Sequence, residues 1–224
     1  MPTSDVHNIV PILTVVQSLQ PRSVLDIGCG FGKYGVLLRE YLDVWHERLD
    51  PASWQVRLVG IDAFARYRNP LWDYLYQNIH IGEAQHIVPG LGEFDLILIA
   101  DVIEHLERPV AVSLVERCLR QSPVVIVSTP REFYPQQDTN QNPYEVHRIL
   151  WTAAEFPPGA HVVTVPALSC NVFVASREPL PWRATYVADL NNVLYLRSRY
   201  RLRRLGPLGW PVSATLRLLN RCLA

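Results

Sequence analysis

No run in this 224-residue sequence approaches the roughly 18 to 20 uncharged apolar residues that a membrane-spanning helix needs. The opening residues, MPTSDVHNIV, lack the basic flank and apolar core of a secretory signal, so the expected location is the cytoplasm. Cysteine is sparse: Cys29, Cys118, Cys170 and Cys222 form no CxxC pair, which argues against a zinc site and a disulfide framework. They read as ordinary buried or half-buried thiols, and no metal is expected. Internal repeats and low-complexity segments are missing, and the length leaves no room for two full enzymatic domains. Lysine is reduced to one residue, Lys33, so the positive charge rests on arginine.

What is present is a hydrophobic fraction of 49% and a net charge of zero that conceals an asymmetry. From Trp182 onward there are eight arginines against one acid, Asp189, a net +7 that leaves −7 for residues 1–181. The proline-containing EPLPW at 178–182 is the candidate boundary between a main domain, 1–181, and an arginine-rich tail, 182–224. In the tail, DLNNVLYLRSRYRLRRL mixes leucines with arginines and reads as a basic helix, with a second short helix from Ser213. Such a segment suits packing on the acidic body, a homodimer contact, a peripheral membrane surface or nucleic acid; packing on the body or in a dimer is favoured.

In the main domain, residues 5–20 read as a helix capped by Ser4 or Asp5, with Pro11 kinking it or delaying its start. Then SVLDIG reads as a strand, KYGVLLREYL as a helix, QVRLVGID and FDLILIAD as strands, AVSLVERCLR as a helix and PVVIVSTP as a strand. Alternation with continuous apolar strands predicts an α/β fold with a mostly parallel sheet covered by helices on both faces. Residues 131–150 are polar and rich in Gln, Asn and Pro, and are expected as a long loop over the sheet edge where ligands bind. WTAAEF starts a short helix, and AHVVTV and NVFVAS form a closing pair of strands.

The richest motif is Val24-Leu25-Asp26-Ile27-Gly28-Cys29-Gly30-Phe31-Gly32, a strand-end carboxylate followed by three alternate glycines. Glycines there let the chain turn sharply and let a ligand approach the backbone. A dinucleotide fingerprint begun at Gly28 would need glycine where Lys33 stands, and a P-loop would need Ser or Thr where Tyr34 stands. Val59-Gly60-Ile61-Asp62 ends the second strand with an acid, the place where a nucleotide site needs a carboxylate for the ribose hydroxyls. Gly82-Glu83-Ala84 follows the apolar IHI, and Asp95 to Leu106 reads DLILIADVIEHL.

In that order and spacing these segments resemble the four cofactor motifs of class I S-adenosylmethionine-dependent methyltransferases, over roughly residues 20–176. The resemblance implies a Rossmann-like seven-stranded sheet whose last strand is antiparallel, with S-adenosylmethionine as cofactor. It implies cofactor contacts from Asp26, Gly28, Cys29, Gly30 and Gly32 in the loop, and from Asp62 and Ala63 after the second strand. Glu83 and Ala84 would face the adenine, with Glu where many relatives carry Asp, and Asp101 and Val102 would lie beside the methionine end. The segments GKYGVLLREYL, DVIEHL and NPYEVHR…WT further resemble bacterial methyltransferases of surface-glycan and secondary-metabolite pathways. The 36-residue gap from Asp26 to Asp62 is long for one βαβ unit and implies an inserted loop around Asp50 to Ser53.

Methyl transfer from a sulfonium demands alignment first and a base only if the acceptor must lose a proton. His105 after the fourth motif and His147 in the polar loop are the candidate bases, with packing or backbone-bonded histidines as the alternative. Lys33 and Tyr34 could reach the cofactor or acceptor, and Phe133 and Trp151 could wall the acceptor, although solvation and packing are the simpler roles. The expected reaction is methylation of an O or N atom of a small molecule or glycan. The competing readings are a nicotinamide oxidoreductase, a non-catalytic module that keeps the fold, and a nucleic-acid methyltransferase supported only by the tail.

Overall fold

The computed structural model describes residues 3–138, 141–167 and 169–179. The arginine-rich tail, the helices expected of it and Cys222 lie outside the described residues. A seven-stranded sheet runs through the described residues: β1 (Ser23–Ile27), β2 (Arg57–Asp62), β3 (Asn78–Ile81), β4 (Leu96–Ala100), β5 (Val124–Pro130), β6 (His161–Pro166) and β7 (Cys170–Ser176). Their order is β3-β2-β1-β4-β5-β7-β6, and β7 is antiparallel to both of its neighbours while β1 to β5 pair in parallel. The order reverses between β1 and β4, so the connections leaving these two strands diverge and open a crevice at their carboxyl ends.

The strands formed where the apolar runs are continuous because both faces are buried. Every residue of β4, LILIA, is buried, as are the first six of β5, VVIVST. Side chains alternate between faces along a strand. One core holds Leu25, Ile27, Val59, Ile61, Ile97 and Ile99 against Leu114, Val115 and Cys118 of the helix α5 (Arg108–Gln121). The intervening residues Val24, Leu58, Leu96, Leu98 and Ile126 are equally buried. Helices α1 (Ile9–Leu19), α2 (Lys33–Leu42) and α3 (Pro70–Leu75) contribute Ile12, Val16, Leu38 and Trp72 to the interior; α4 (Ala84–Ile87) is a single turn. Among the described residues no helix is long and apolar enough to cross a membrane.

Two expected elements came out shorter. The first helix begins at Ile9, not at residue 5, because Pro11 must sit in a first turn, where its missing N–H has no partner to lose. Asp5 instead caps a separate 3-10 turn, Val6–Asn8, by accepting the His7 N–H at 2.8 Å. WTAAEF makes only a 3-10 turn, Ala153–Glu155, closed by a capping box between Thr152 and Glu155.

The long β1 to β2 connection is held by a buried ion pair. Asp43, fully buried at the end of α2, accepts hydrogen bonds from Arg39 (2.7 Å), Arg48 (2.9 Å) and the Gln55 N–H (2.8 Å). Arg39 also donates to the carbonyls of Val56 (2.7 Å) and Leu75 (2.8 Å). These bonds fold residues 43–56, including the 3-10 turn Pro51–Ser53 at the expected insertion, back against β2. Removing one partner of a buried pair strands the other charge, a loss of about 3 to 5 kcal/mol, against about 0 to 1 for an exposed pair. Asp43→Ala is therefore expected to lower the denaturation midpoint severely, and Arg68→Ala, in the exposed Arg68–Asp73 pair, to leave it nearly unchanged.

Candidate active site

The loop leaving β1 is clamped from both sides. The Gly28 and Cys29 N–H groups donate to the Ile61 carbonyl at 2.8 and 3.0 Å, bending the chain across the end of β2. Gly28 has φ +74°, and a Cβ there would lie 2.2 Å from Val102 Cγ2, so only glycine fits. The Asp62 carboxylate then accepts the Gly30 N–H through Oδ2 and the Phe64 N–H through Oδ1, both at 2.8 Å. The Trp72 indole donates to the Gly30 carbonyl at 2.7 Å.

Beside this loop lies a cavity of about 910 Å³ at the carboxyl ends of β1, β2 and β4. Gly28, Cys29 and Gly30 form one side of its wall, with Asp62 and Ala63 beyond them. Glu83, at the N-cap position of α4, and Ala84 line another part, and the Gln85 amide donates to the Glu83 carboxylate. Asp101, Val102, His105 and His147 line the rest. Of the thirteen residues expected from the sequence as cofactor contacts or bases, eleven thus share one cavity.

Asp26 and Gly32 do not line it. Gly32 stands at the N-cap of α2 with φ +90°. Asp26 points into the sheet's covered face, where its carboxyl accepts the Tyr76 hydroxyl at 2.6 Å and burial raises it to about 7. A residue facing that way supports the loop from beneath.

Asp101 is in the left-handed region, φ +53°, a conformation that aspartate tolerates better than most side chains. Its carboxylate accepts three hydrogen bonds: from the Asp5 N–H (2.7 Å), the Asn8 amide (3.0 Å) and the Ser128 hydroxyl (2.7 Å). Those bonds draw residues 3–8 across the cavity, where Thr3, Ser4, Asp5 and Val6 join its wall. Lys33 donates to the Ser4 carbonyl and hydroxyl, and the Tyr34 hydroxyl donates to Asn8 Oδ1 at 2.5 Å. Lys33 and Tyr34 thus tie down this N-terminal strap, a use that their sequence position did not reveal.

The two histidines meet, their ring centroids 4.9 Å apart. His105 Nδ1 faces the Val146 carbonyl at 3.2 Å, and His147 Nδ1 faces the Tyr134 carbonyl at 3.0 Å. A carbonyl can only accept, so both Nδ1 atoms carry hydrogen and both Nε2 atoms keep lone pairs. Burial lowers both rings, His105 to about 4, so both are neutral at physiological pH. The polar loop closes beside them: the Tyr67 hydroxyl donates to Glu145 at 2.9 Å, and the Asn142 amide donates to that hydroxyl at 2.9 Å. Trp151 is fully buried in the core, and Phe133 is half exposed and lies outside the wall. Tyr67, Tyr134, Tyr144 and Glu104 line the cavity without having been singled out as site residues.

A family model described as a methyltransferase domain matches residues 8–172. The chain belongs to the methyltransferase domain family. This methyltransferase is similar in fold to the methyltransferase domain of bacterial CtHen1, with 18% identity and a TM-score of 0.51 over 76% of this chain and 97% of that one. A SAM-dependent methyltransferase from Archaeoglobus fulgidus matches at 12% identity and a TM-score of 0.51, over 75% and 92% of the two chains. The N-terminal domain of EvdMO1, in a structure with SAH bound, matches at 13% and 0.56, over 79% and 83%. No curated protein sequence matches the chain.

The position of Asp26 yields a pH test for the empty enzyme. Folding raises its pKa from 3.8 to about 7, so the folded state holds a proton that the unfolded state releases. The associated stability is fully present below pH 4 and is lost as pH rises through 7. Asp62, Asp101 and Glu104 are also raised by burial and add to the decline, so Asp26→Asn is expected to make the slope shallower than the parent's and to be at least as stable as the parent at pH 8. A parallel decline in both proteins between pH 4 and 8 would overturn the assignment.

Proposed function

We propose that this methyltransferase transfers the methyl group of S-adenosylmethionine to an oxygen or nitrogen atom of a small molecule or glycan, with His105 and His147 at the acceptor end. The observation that carries the reading is the Asp62 carboxylate in the cavity wall, each oxygen held by one backbone N–H. Each oxygen retains capacity to accept another hydrogen bond, the requirement for gripping a ribose diol. The residues fit the cofactor: the cradle at Gly28 admits no Cβ, and the cavity's size falls within the range of ligand pockets. Glu83 and the Ala84 backbone are assigned to the adenine, and the Gly28 to Gly30 loop with Val102 to the methionine end. Asp101 and Lys33 are assigned to holding the strap.

When bound, S-adenosylmethionine supplies a methyl group already activated on a positive sulfur. The chain then has to hold the acceptor in line, and such positioning is worth on the order of 7 to 11 kcal/mol. The strap and the loop residues Tyr134, Gln136, Asn142, Tyr144 and Glu145 wall the cavity around the reacting atoms, with His105 and His147 in the same wall. Phe31, Tyr134 and Tyr144 offer half-exposed rings in the wall for stacking a sugar or an aromatic ring. Among the described residues the wall holds one Lys or Arg, Lys33, and it is engaged with Ser4. That poverty of cations favours a small neutral acceptor over a phosphate-rich polymer.

Calorimetric titration tests the cofactor assignment. Micromolar binding of S-adenosylmethionine and S-adenosylhomocysteine is expected, with none for NAD. Asp62→Ala is expected to weaken both by at least about tenfold, since hydrogen bonds to a charged group are worth about 1.5 to 3 kcal/mol. Binding of NAD, or indifference of both sulfur nucleotides to the substitution, would sink the reading.

A further inference from the structure

Glu104 has no role in the cofactor contacts, yet it lies in the cavity wall with only 2% of its surface exposed. The Thr129 hydroxyl faces this carboxylate, but Oε2 completes no hydrogen bond of good geometry and holds no cationic partner. An orphaned carboxylate oxygen of this kind is costly unless something positive meets it. Two imidazoles stand beside it: one ligand atom each from Glu104, His105 and His147 lie within 4.8 Å of one another.

The backbone assembles this group. The Glu104 carbonyl accepts the N–H groups of Arg148 (2.8 Å) and Ile149 (3.2 Å), which brings the segment carrying His147 against the turn carrying Glu104 and His105. Both rings have Nδ1 fixed by a backbone carbonyl, the arrangement that orients a metal-binding histidine and leaves Nε2 for the ion. Asp101 is not available as a fourth donor, because its carboxylate is occupied by Asp5, Asn8 and Ser128. Ligand distances of about 2.0 to 2.2 Å require donors within about 4.4 Å of each other. A side-chain adjustment of a few tenths of an ångström meets that.

We propose that Glu104, His105 and His147 hold a divalent transition-metal cation that binds and activates the acceptor, which makes the acceptor a hydroxyl compound with a neighbouring oxygen. This deepens the methyltransferase reading and rests on it. Two imidazoles and one carboxylate suit Zn²⁺, Mn²⁺, Fe²⁺ or Co²⁺, and three protein donors leave coordination positions open on the cavity side. Adjacent oxygens of a vicinal diol or catechol can fill two of them. The ion lowers the hydroxyl pKa as it does for bound water. The hydroxyl proton leaves to solvent, the oxygen–carbon bond forms as the carbon–sulfur bond breaks, and the sulfonium charge is discharged. One proton is released per methyl transferred.

The test uses the full chain, stripped with chelator and titrated with Co²⁺ while its visible absorption and binding heat are followed. One ion per chain is expected, with the spectrum of a nitrogen–oxygen site. Changes one shell out from a metal typically cost 10 to 100-fold in affinity, so Glu104→Gln and His147→Ala are each expected to weaken Co²⁺ binding by at least about 100-fold. S-adenosylhomocysteine affinity is measured on the same samples and is expected to stay within about threefold. Protein that binds S-adenosylhomocysteine but not Co²⁺, or that binds Co²⁺ equally in parent and variants, would overturn the metal site. Loss of S-adenosylhomocysteine binding by the parent would overturn the cofactor reading on which the proposed role of the ion rests.

Discussion

The Asp62 carboxylate connects two tasks through one pair of oxygens. By accepting the Gly30 and Phe64 N–H groups it fixes the glycine loop against the end of β2, and by lying in the cavity wall it stays accessible to a ligand. Burial raises its pKa, and the two N–H groups oppose that shift. Together with the Gly28 and Cys29 bonds to the Ile61 carbonyl, this joint holds the loop at the end of β2, with Gly28 against Val102. A charge left in a place this dry is stable only while the loop keeps its shape, so loop geometry and carboxylate ionisation are coupled.

The parts of the fold legible in the sequence were those set by short-range pattern. β4 and β5 are apolar at almost every position because the sheet is covered on both sides, and α2 spans Lys33–Leu42 as its pattern predicts. The glycine loop was legible because positive φ and close approach leave few residue choices. Long-range polar contacts were not. Arg39 and Asp43 stand at i, i+4 spacing, which does not tell a surface pair from a buried one, and only the fold shows them buried. The strap depends on Asn8 meeting Asp101, ninety-three residues away, and no local pattern encodes that meeting. Cysteine spacing says nothing of Glu104, His105 and His147, whose proximity arises from backbone bonds between the turn at 103–105 and residues 148–149.

The strap changes what the N-terminal sequence means. Lys33 and Tyr34 open α2 and hold Ser4 and Asn8, while Asp101 receives Asp5 and Asn8 from the end of β4. The hydroxyl of Ser169, in the β6 to β7 turn, donates to Asp5 at 2.5 Å. Three separated segments therefore converge on residues 4–8, and all three lie at the carboxyl edge of the sheet. Asn8 is fully buried and anchors the strap, while Val6 is largely exposed and gives it little apolar burial. That suits a cavity that must admit a ligand and then exclude water.

The cavity also has a sign. Asp62, Asp101 and Glu104 line it and Asp26 lies beneath its loop, and burial raises the pKa of all four. Lys33 is the single Lys or Arg among the described wall residues. Clustered carboxylates in a low dielectric disfavour one another's ionisation, and a cation brought among them relieves both the burial and the repulsion. Such a wall discriminates against anionic ligands and favours positive ones, a sulfonium at one end and a divalent ion at the other. Transfer of the methyl group discharges the sulfonium and so removes one of the charges that the wall stabilises. On this view the same electrostatics that retain the cofactor before transfer weaken its hold on the neutral thioether product.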